Sequence, residues 1–211
     1  MTKFFPNGKL WLMGILLLVA VTGAPALAWP ITIANSSFEA DTIGIGSWND
    51  SVTGWIVTGS GGTWNPDTGS YPGGAPAGSN VAWIQYASLS QTLSDTVQAN
   101  YHYTLEAYVG KFSTEPVHYY VELVAAESGA VLAAATGYAT QQTFNLVKAT
   151  YTATNQHLGE HLKVVISNTE FIETDFDNVT LTGSAVPVPS TLLLLSSSLL
   201  ALTGWRRMRK S

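Results

Sequence analysis

Tyr101-His102-Tyr103-Thr104-Leu105-Glu106-Ala107-Tyr108-Val109 alternates apolar and polar side chains with period two. In an extended chain successive side chains point to opposite faces. Tyr101, Tyr103, Leu105, Ala107 and Val109 therefore share one face, and His102, Thr104, Glu106 and Tyr108 the other. A helix would spread the same apolar residues around its circumference; a half-buried strand keeps them together. The period recurs nearby. Tyr119, Val121, Leu123 and Ala125 alternate with Tyr120, Glu122 and Val124, and Leu162, Val164 and Ile166 alternate with Lys163, Val165 and Ser167. Val179 and Leu181 make the inward side of a last strand over 176–182, and further strands are expected at 81–86, 90–93, 131–137 and 145–152. Glu127-Ser128-Gly129 and Asn155-Gln156 supply turn chemistry between them. Short strands with few helical periods predict an all-β domain, a jelly-roll β-sandwich.

The two ends read differently. In residues 1–28, Lys3 and Lys9 precede an apolar run from Leu10 to Val21, and Ala26-Leu27-Ala28 closes it with a small-x-small pattern. This predicts a secretory signal-peptide helix, with the mature chain beginning at Trp29. At the other end, Val186-Pro187-Val188-Pro189-Ser190 precedes an apolar stretch to Trp205, followed by Arg206-Arg207-Met208-Arg209-Lys210. Ser190 to Trp205 would be about 24 Å long as a helix, a thin membrane-spanning segment. The basic cluster is expected to stay cytoplasmic, which puts the 29–185 domain outside.

The C-terminal 186–211 segment resembles the PEP-CTERM sorting signal: a Pro-Glu-Pro-like motif, a hydrophobic helix and a basic end. Val188 stands where that family has Glu. The resemblance implies recognition by an exosortase, a membrane protease, and transient anchoring in the inner membrane. It also implies export to the envelope, surface or matrix of a Gram-negative bacterium that makes exopolysaccharide.

Of nine Lys and Arg, only Lys111, Lys148 and Lys163 lie in the middle, against all 14 Asp and Glu. So acidic a domain offers no footprint for a phosphate backbone, which excludes nucleic acid as partner. The absence of Cys excludes disulfides, thiolate metal sites and a Cys nucleophile.

Asn35-Ser36-Ser37-Phe38-Glu39, Gly78-Ser79-Asn80-Val81-Ala82, Gln91-Thr92-Leu93 and Asp177-Asn178-Val179-Thr180-Leu181 follow one another in an order that resembles the galactose-binding-like jelly rolls. Those folds include carbohydrate-binding modules. The resemblance spans about residues 33–182 and implies a structural calcium held by Glu39 and Asp177. Hard cations take several oxygen ligands, and Glu170, Glu173, Asp175 and Asp177 crowd one short segment.

Trp64, Asn65 and Tyr71 fall in a segment, 59–80, that carries no strand alternation, and Trp83 and Gln85 share one face of a strand. Aromatic faces beside amides suit a sugar, so these five are the expected ligand-binding residues. His157-Leu158-Gly159-Glu160-His161 matches H-x-x-E-H, but Gly159 and the turn context deny it the helix that such a zinc site needs. The expectation is a non-catalytic exported module that binds carbohydrate. The alternatives are an adhesive matrix protein without sugar binding and, third, a hydrolase.

Overall fold

The computed structural model describes residues 27–187. The expected signal-peptide helix, the sorting residues Val188, Pro189 and Ser190 and the 190–205 helix lie outside them. Among the described residues no helix is long and apolar enough to cross a membrane.

Nine strands follow one another: β1 (Trp29–Ile31), β2 (Ile56–Trp64), β3 (Val81–Thr96), β4 (Tyr101–Gly110), β5 (His118–Ala125), β6 (Ala130–Tyr138), β7 (Asn145–Thr152), β8 (His161–Ser167) and β9 (Thr174–Ala185). Every named pairing between them is antiparallel. The main order is β6-β5-β8-β3-β9-β4-β7, with β1 on β9 and β2 on β3. This all-β sheet folds back on itself as a sandwich. Phe38, Ile84, Leu89, Leu105, Leu123, Leu162, Ile166, Phe176 and Leu181 meet inside with almost no exposure. The face predicted to be inward for 101–109 supplies Tyr103, Leu105, Ala107 and Val109 to that core.

β3 joins the two halves of the sheet. One edge pairs with β2 along most of its length, while the other pairs with β9 at Ala82–Ile84 and with β8 from Ser88 onward. Between those partners lies Tyr86, with φ at +47°. The sequence divides this strand into 81–86 and 90–93, and the structure makes it one bulged strand. A bulge bends the strand and re-aims its side chains. Opposite it, Gly59 has φ at +97°, and a Cβ there would come within 2.6 Å of Tyr86 O.

Residues 59–64, which carry no alternation, are therefore strand and not loop. They are rich in glycine because neighbouring backbone comes too close for side chains. At Gly62 a Cβ would lie 1.8 Å from Asn49 O. That closeness lets residues 44–50 run beside β2, with Asn49 N–H on Thr63 O (2.9 Å) and Asn65 N–H on Ser47 O (3.0 Å). Replacing Gly62 by Ala must push this segment away. The expected cost is at least ~2 kcal/mol, a melting midpoint lower by roughly 4–8 °C in thermal circular dichroism. An unchanged midpoint would contradict the packing.

Candidate active site

The segment held by Gly62 carries Trp48, which is 65% exposed and whose backbone pairs with that of Trp64 in an isolated antiparallel bridge. Trp48, Trp64, Trp83 and Phe112 wall a pocket of about 440 Å³, with Gln85 and Glu173 among its polar groups. Trp64 and Phe112 meet edge to face at 5.7 Å. The Trp83 indole N–H is spent on Asn49 O at 3.1 Å, which fixes that ring. A cavity of this size with apolar walls and few polar groups suits a small organic ligand.

Behind the pocket stands a buried acid. Asp175 lies on β9, opposite Trp83 of β3 and Gly110 of β4, with no exposed surface. The Tyr71 hydroxyl donates to its Oδ2. Its Oδ1 finds no donor among the fixed N–H and O–H groups. Glu173, two residues earlier in the chain, is the carboxyl whose charge acts on Asp175. Burial first, and then the charge of Glu173, raise Asp175 well above the usual carboxylate range. Burial likewise raises Glu173. The Tyr71 hydroxyl is pushed far up by burial and by Asp175, so it stays a donor. Both carboxyls are thus shifted toward their protonated forms, and Glu173 is the member that lines the pocket.

Tyr71 itself is only 1% exposed, stacked on Phe144 at 4.3 Å and tilted against Trp64 at 6.0 Å. The structure thus brings Trp64, Trp83 and Gln85 to one pocket and sets Tyr71 behind it. Asn65 is turned away: its side-chain N–H donates to Ile43 O at 2.9 Å and anchors the Trp48 segment. Trp48, Phe112 and the Glu173–Asp175 pair were not among the expected ligand-binding residues. The crowding of acids in 170–177 is visible in the sequence, but there it points to a cation site.

Two residues further along β9, at Asp177, a second pair of carboxylates meets: Glu39 Oε1 accepts the N–H groups of Ser79 (2.8 Å) and Asn80 (2.6 Å). Asp177 Oδ2 accepts Ala77 N–H at 2.7 Å, and Oδ1 accepts Asn178 N–H at 2.6 Å. Burial, opposed by those amides and aided by the charge of Glu39, pushes Asp177 up to about 7. The two carboxylates do stand together. Among the described residues, however, no group of three or more His, Cys, Asp or Glu side chains is placed to hold a metal. His157 pairs with Glu160 (2.9 Å) and His161 with Glu127 (2.5 Å), which ties two loops together. Val186 and Pro187, the described part of the sorting motif, follow β9 and are exposed.

A family model described as HpiC1-like, HpiC1 cyclase, matches residues 29–182. Among curated proteins none matches the sequence. The solved Stig cyclase Fisc of Fischerella sp. TAU, in complex with (3Z)-3-(1-methyl-2-pyrrolidinylidene)-3H-indole, is 29% identical. It covers 76% of this chain and 100% of its own, with a TM-score of 0.67. A Fischerella sp. TAU cyclase in complex with 4-(1H-indol-3-yl)butan-2-one is also 29% identical, at 0.66 and the same coverages. The xylan-binding CBM22-1 domain of Paenibacillus barcinonensis Xyn10C is 15% identical over 79% of this chain and 97% of its own, at 0.50. That likeness is one of fold alone.

These matches correct three expectations. The family is a cyclase family, so the non-catalytic module is overturned, and with it the carbohydrate ligand and the matrix role. The exosortase-substrate resemblance finds no support in any match. The sugar-binding resemblance had read a shared sandwich as a shared ligand, although a fold does not fix a function.

The acid pair makes one prediction. Folded protein binds more protons at Glu173 and Asp175 than unfolded chain, so this contribution is present below the ordinary carboxylate range and lost as pH rises through the raised values. The melting midpoint should fall as pH rises above the ordinary carboxylate range, and the Glu173→Gln/Asp175→Asn double variant should show a shallower slope. An equal slope would place the proton elsewhere.

Proposed function

The chain belongs to the HpiC1-like cyclase family, and from that premise we propose that it is an acid-catalysed cyclase for a substrate carrying an indole-type ring. The observation that carries this reading is a carboxyl pair, half-buried Glu173 and fully buried Asp175, raised by burial toward the protonated form at the wall of an aromatic pocket. The indole ligands of the Fischerella cyclases support the choice of ring. In finer terms the scaffold is read as a jelly-roll sandwich.

The chemistry follows from the residues. An electron-rich ring enters between Trp48, Trp64 and Phe112 and over Trp83, with Gln85 free to bond a polar substituent. Glu173 gives its proton to a carbon of the π system. The cation so formed is stabilised by the surrounding rings, worth roughly 2 kcal/mol or more per contact in a desolvated site. A second π pair of the substrate attacks that cation and closes a carbon–carbon bond. A proton then leaves and returns to the carboxylate. Product and substrate are isomers, so neither oxidant nor reductant is consumed. Burial raises Glu173 and so favours the protonated form from which it donates. Tyr71 keeps Asp175 oriented through its hydroxyl.

Proton delivery can be assayed without the natural substrate. The C3 hydrogen of 1-methylindole exchanges in D2O when an acid delivers a deuteron to C3 and the original proton departs. Proton nuclear magnetic resonance should show exchange catalysed by the protein. Glu173→Gln should lower kcat by about a hundredfold or more, and Trp48→Ala should raise KM. Exchange at the wild-type rate in Glu173→Gln would sink the proposal.

We also propose that calcium binds between Glu39 and Asp177 as a structural ion. Glu39 Oε1 takes two amides, Oε2 takes no hydrogen bond among the described residues, and backbone oxygens would complete the shell. Calcium at a hundredfold excess over Kd should stabilise the fold by about 2.7 kcal/mol, and Asp177→Asn should abolish that response. Identical melting curves in calcium and in chelator would remove the ion. Residues 1–28 are proposed as an export signal: removal after Ala28 leaves β1, which starts at Trp29, whole.

A further inference from the structure

The loop between β8 and β9 carries Glu173, and it fills the gap where β3 passes from one of those strands to the other. There the backbone of β3 is met by loop instead of strand. Asn168 N–H donates to Ala87 O at 3.0 Å, and Tyr86 N–H donates to Glu170 O at 2.7 Å. The buried amide of Asn168 donates to Ile84 O (3.1 Å), Ile172 O (2.8 Å) and Thr174 Oγ1 (3.0 Å). Those bonds hold both ends of the loop to β3 and β9.

Its middle is held from β5 by one side chain. Glu170 Oε2 accepts His118 N–H at 3.2 Å, and Oε1 lies 3.3 Å from His118 Nδ1. The imidazole is braced by stacking on Tyr138 at 3.9 Å. Beside it, Phe171 stacks on Tyr86 at 4.9 Å with the planes 13° apart, although both rings are largely exposed. Neither Glu170 nor His118 lines the pocket. A half-exposed pair such as theirs contributes little to stability, on the order of 0–1 kcal/mol. Its value lies in geometry: it stands three residues before the proton donor, where a shift of about 1 Å can cost a hundredfold in rate.

We propose that Glu170 is a positioning residue for Glu173, setting through His118 the reach of that carboxyl toward the ring bound in the pocket. This rests on the reading of Glu173 as proton donor. The carboxylate contributes hydrogen-bond acceptors and length, not charge. An amide keeps an acceptor for His118 N–H and a donor for the ring nitrogen, so Gln serves where Ala does not.

The test measures kcat and KM for C3 exchange of 1-methylindole in the full chain, with melting midpoints recorded alongside. Glu170→Ala should lose about tenfold in kcat with KM within about twofold of wild type. Glu170→Gln should recover kcat to within about twofold. His118→Ala cuts the same link from the other side and should reproduce the kcat loss, which covers the case of a Glu170→Ala protein that folds poorly. Wild-type kcat in both Ala variants overturns the inference. So does a loss matched by the unfolded fraction, or a Gln variant as slow as Ala. Glu173→Gln run in parallel separates the two levels. If it is inactive while Glu170→Ala and His118→Ala are normal, only the positioning role falls; if it exchanges at the wild-type rate, the donor reading falls and takes this inference with it.

Discussion

Asp175 stands at the start of β9 with no exposed surface and one fixed donor, the Tyr71 hydroxyl. An isolated buried carboxylate would be prohibitively costly, and the usual escape is to remain partly protonated. Here the escape involves Glu173, the neighbour that opens on the pocket. Much of the surrounding architecture serves this single constraint. Tyr71 must be held down, which Phe144 and Trp64 do by packing on its ring. Glu173 must be held up, which the loop from Asn168 does by bonding to β3.

The aromatic wall depends on a second, steric constraint. Trp48 reaches the pocket because residues 44–50 lie directly on β2, and they can do so only where β2 lacks side chains. Glycine weakens a strand by roughly 0.5–1 kcal/mol relative to Ala. At Gly62 that cost is offset by an added backbone layer, which turns a sheet edge into one wall of a site. The bulge at Tyr86 works with it, since it turns β3 from β8 to β9 and opens the space in which the acid-bearing loop sits.

Alternation made the core strands legible. The period-two runs at 101–109, 119–125 and 162–167 all lie in strands, and 145–152 coincides with β7. β2 was not legible, because Gly59, Gly61 and Gly62 leave no side-chain period to read; the reason for them lies in tertiary contacts. The site was legible in part. Trp64, Trp83 and Gln85 do meet at one pocket, because an aromatic and an amide two apart on a strand announce a shared face. The chemistry was not. Glu173 and Asp175 look in sequence like members of an acidic, solvated or cation-binding run. What makes them a proton store is burial beneath Tyr71, more than a hundred residues away in the chain, and no local pattern encodes that. A sandwich shared with sugar-binding domains then pulled the reading toward the wrong ligand.

The central claim is that a carboxyl at the pocket wall carries a proton at neutral pH. Infrared spectroscopy reads this directly, since a protonated carboxyl has a C=O stretch that a carboxylate lacks and that shifts in D2O. Beside the band expected from Asp177, which burial pushes up to about 7, the wild-type protein should show at neutral pH a second protonated-carboxyl component, lost in Glu173→Gln and displaced in Tyr71→Phe, where Asp175 loses its donor. A protonated-carboxyl signal at neutral pH that is indifferent to both substitutions, or that vanishes only in Asp177→Asn, would contradict it.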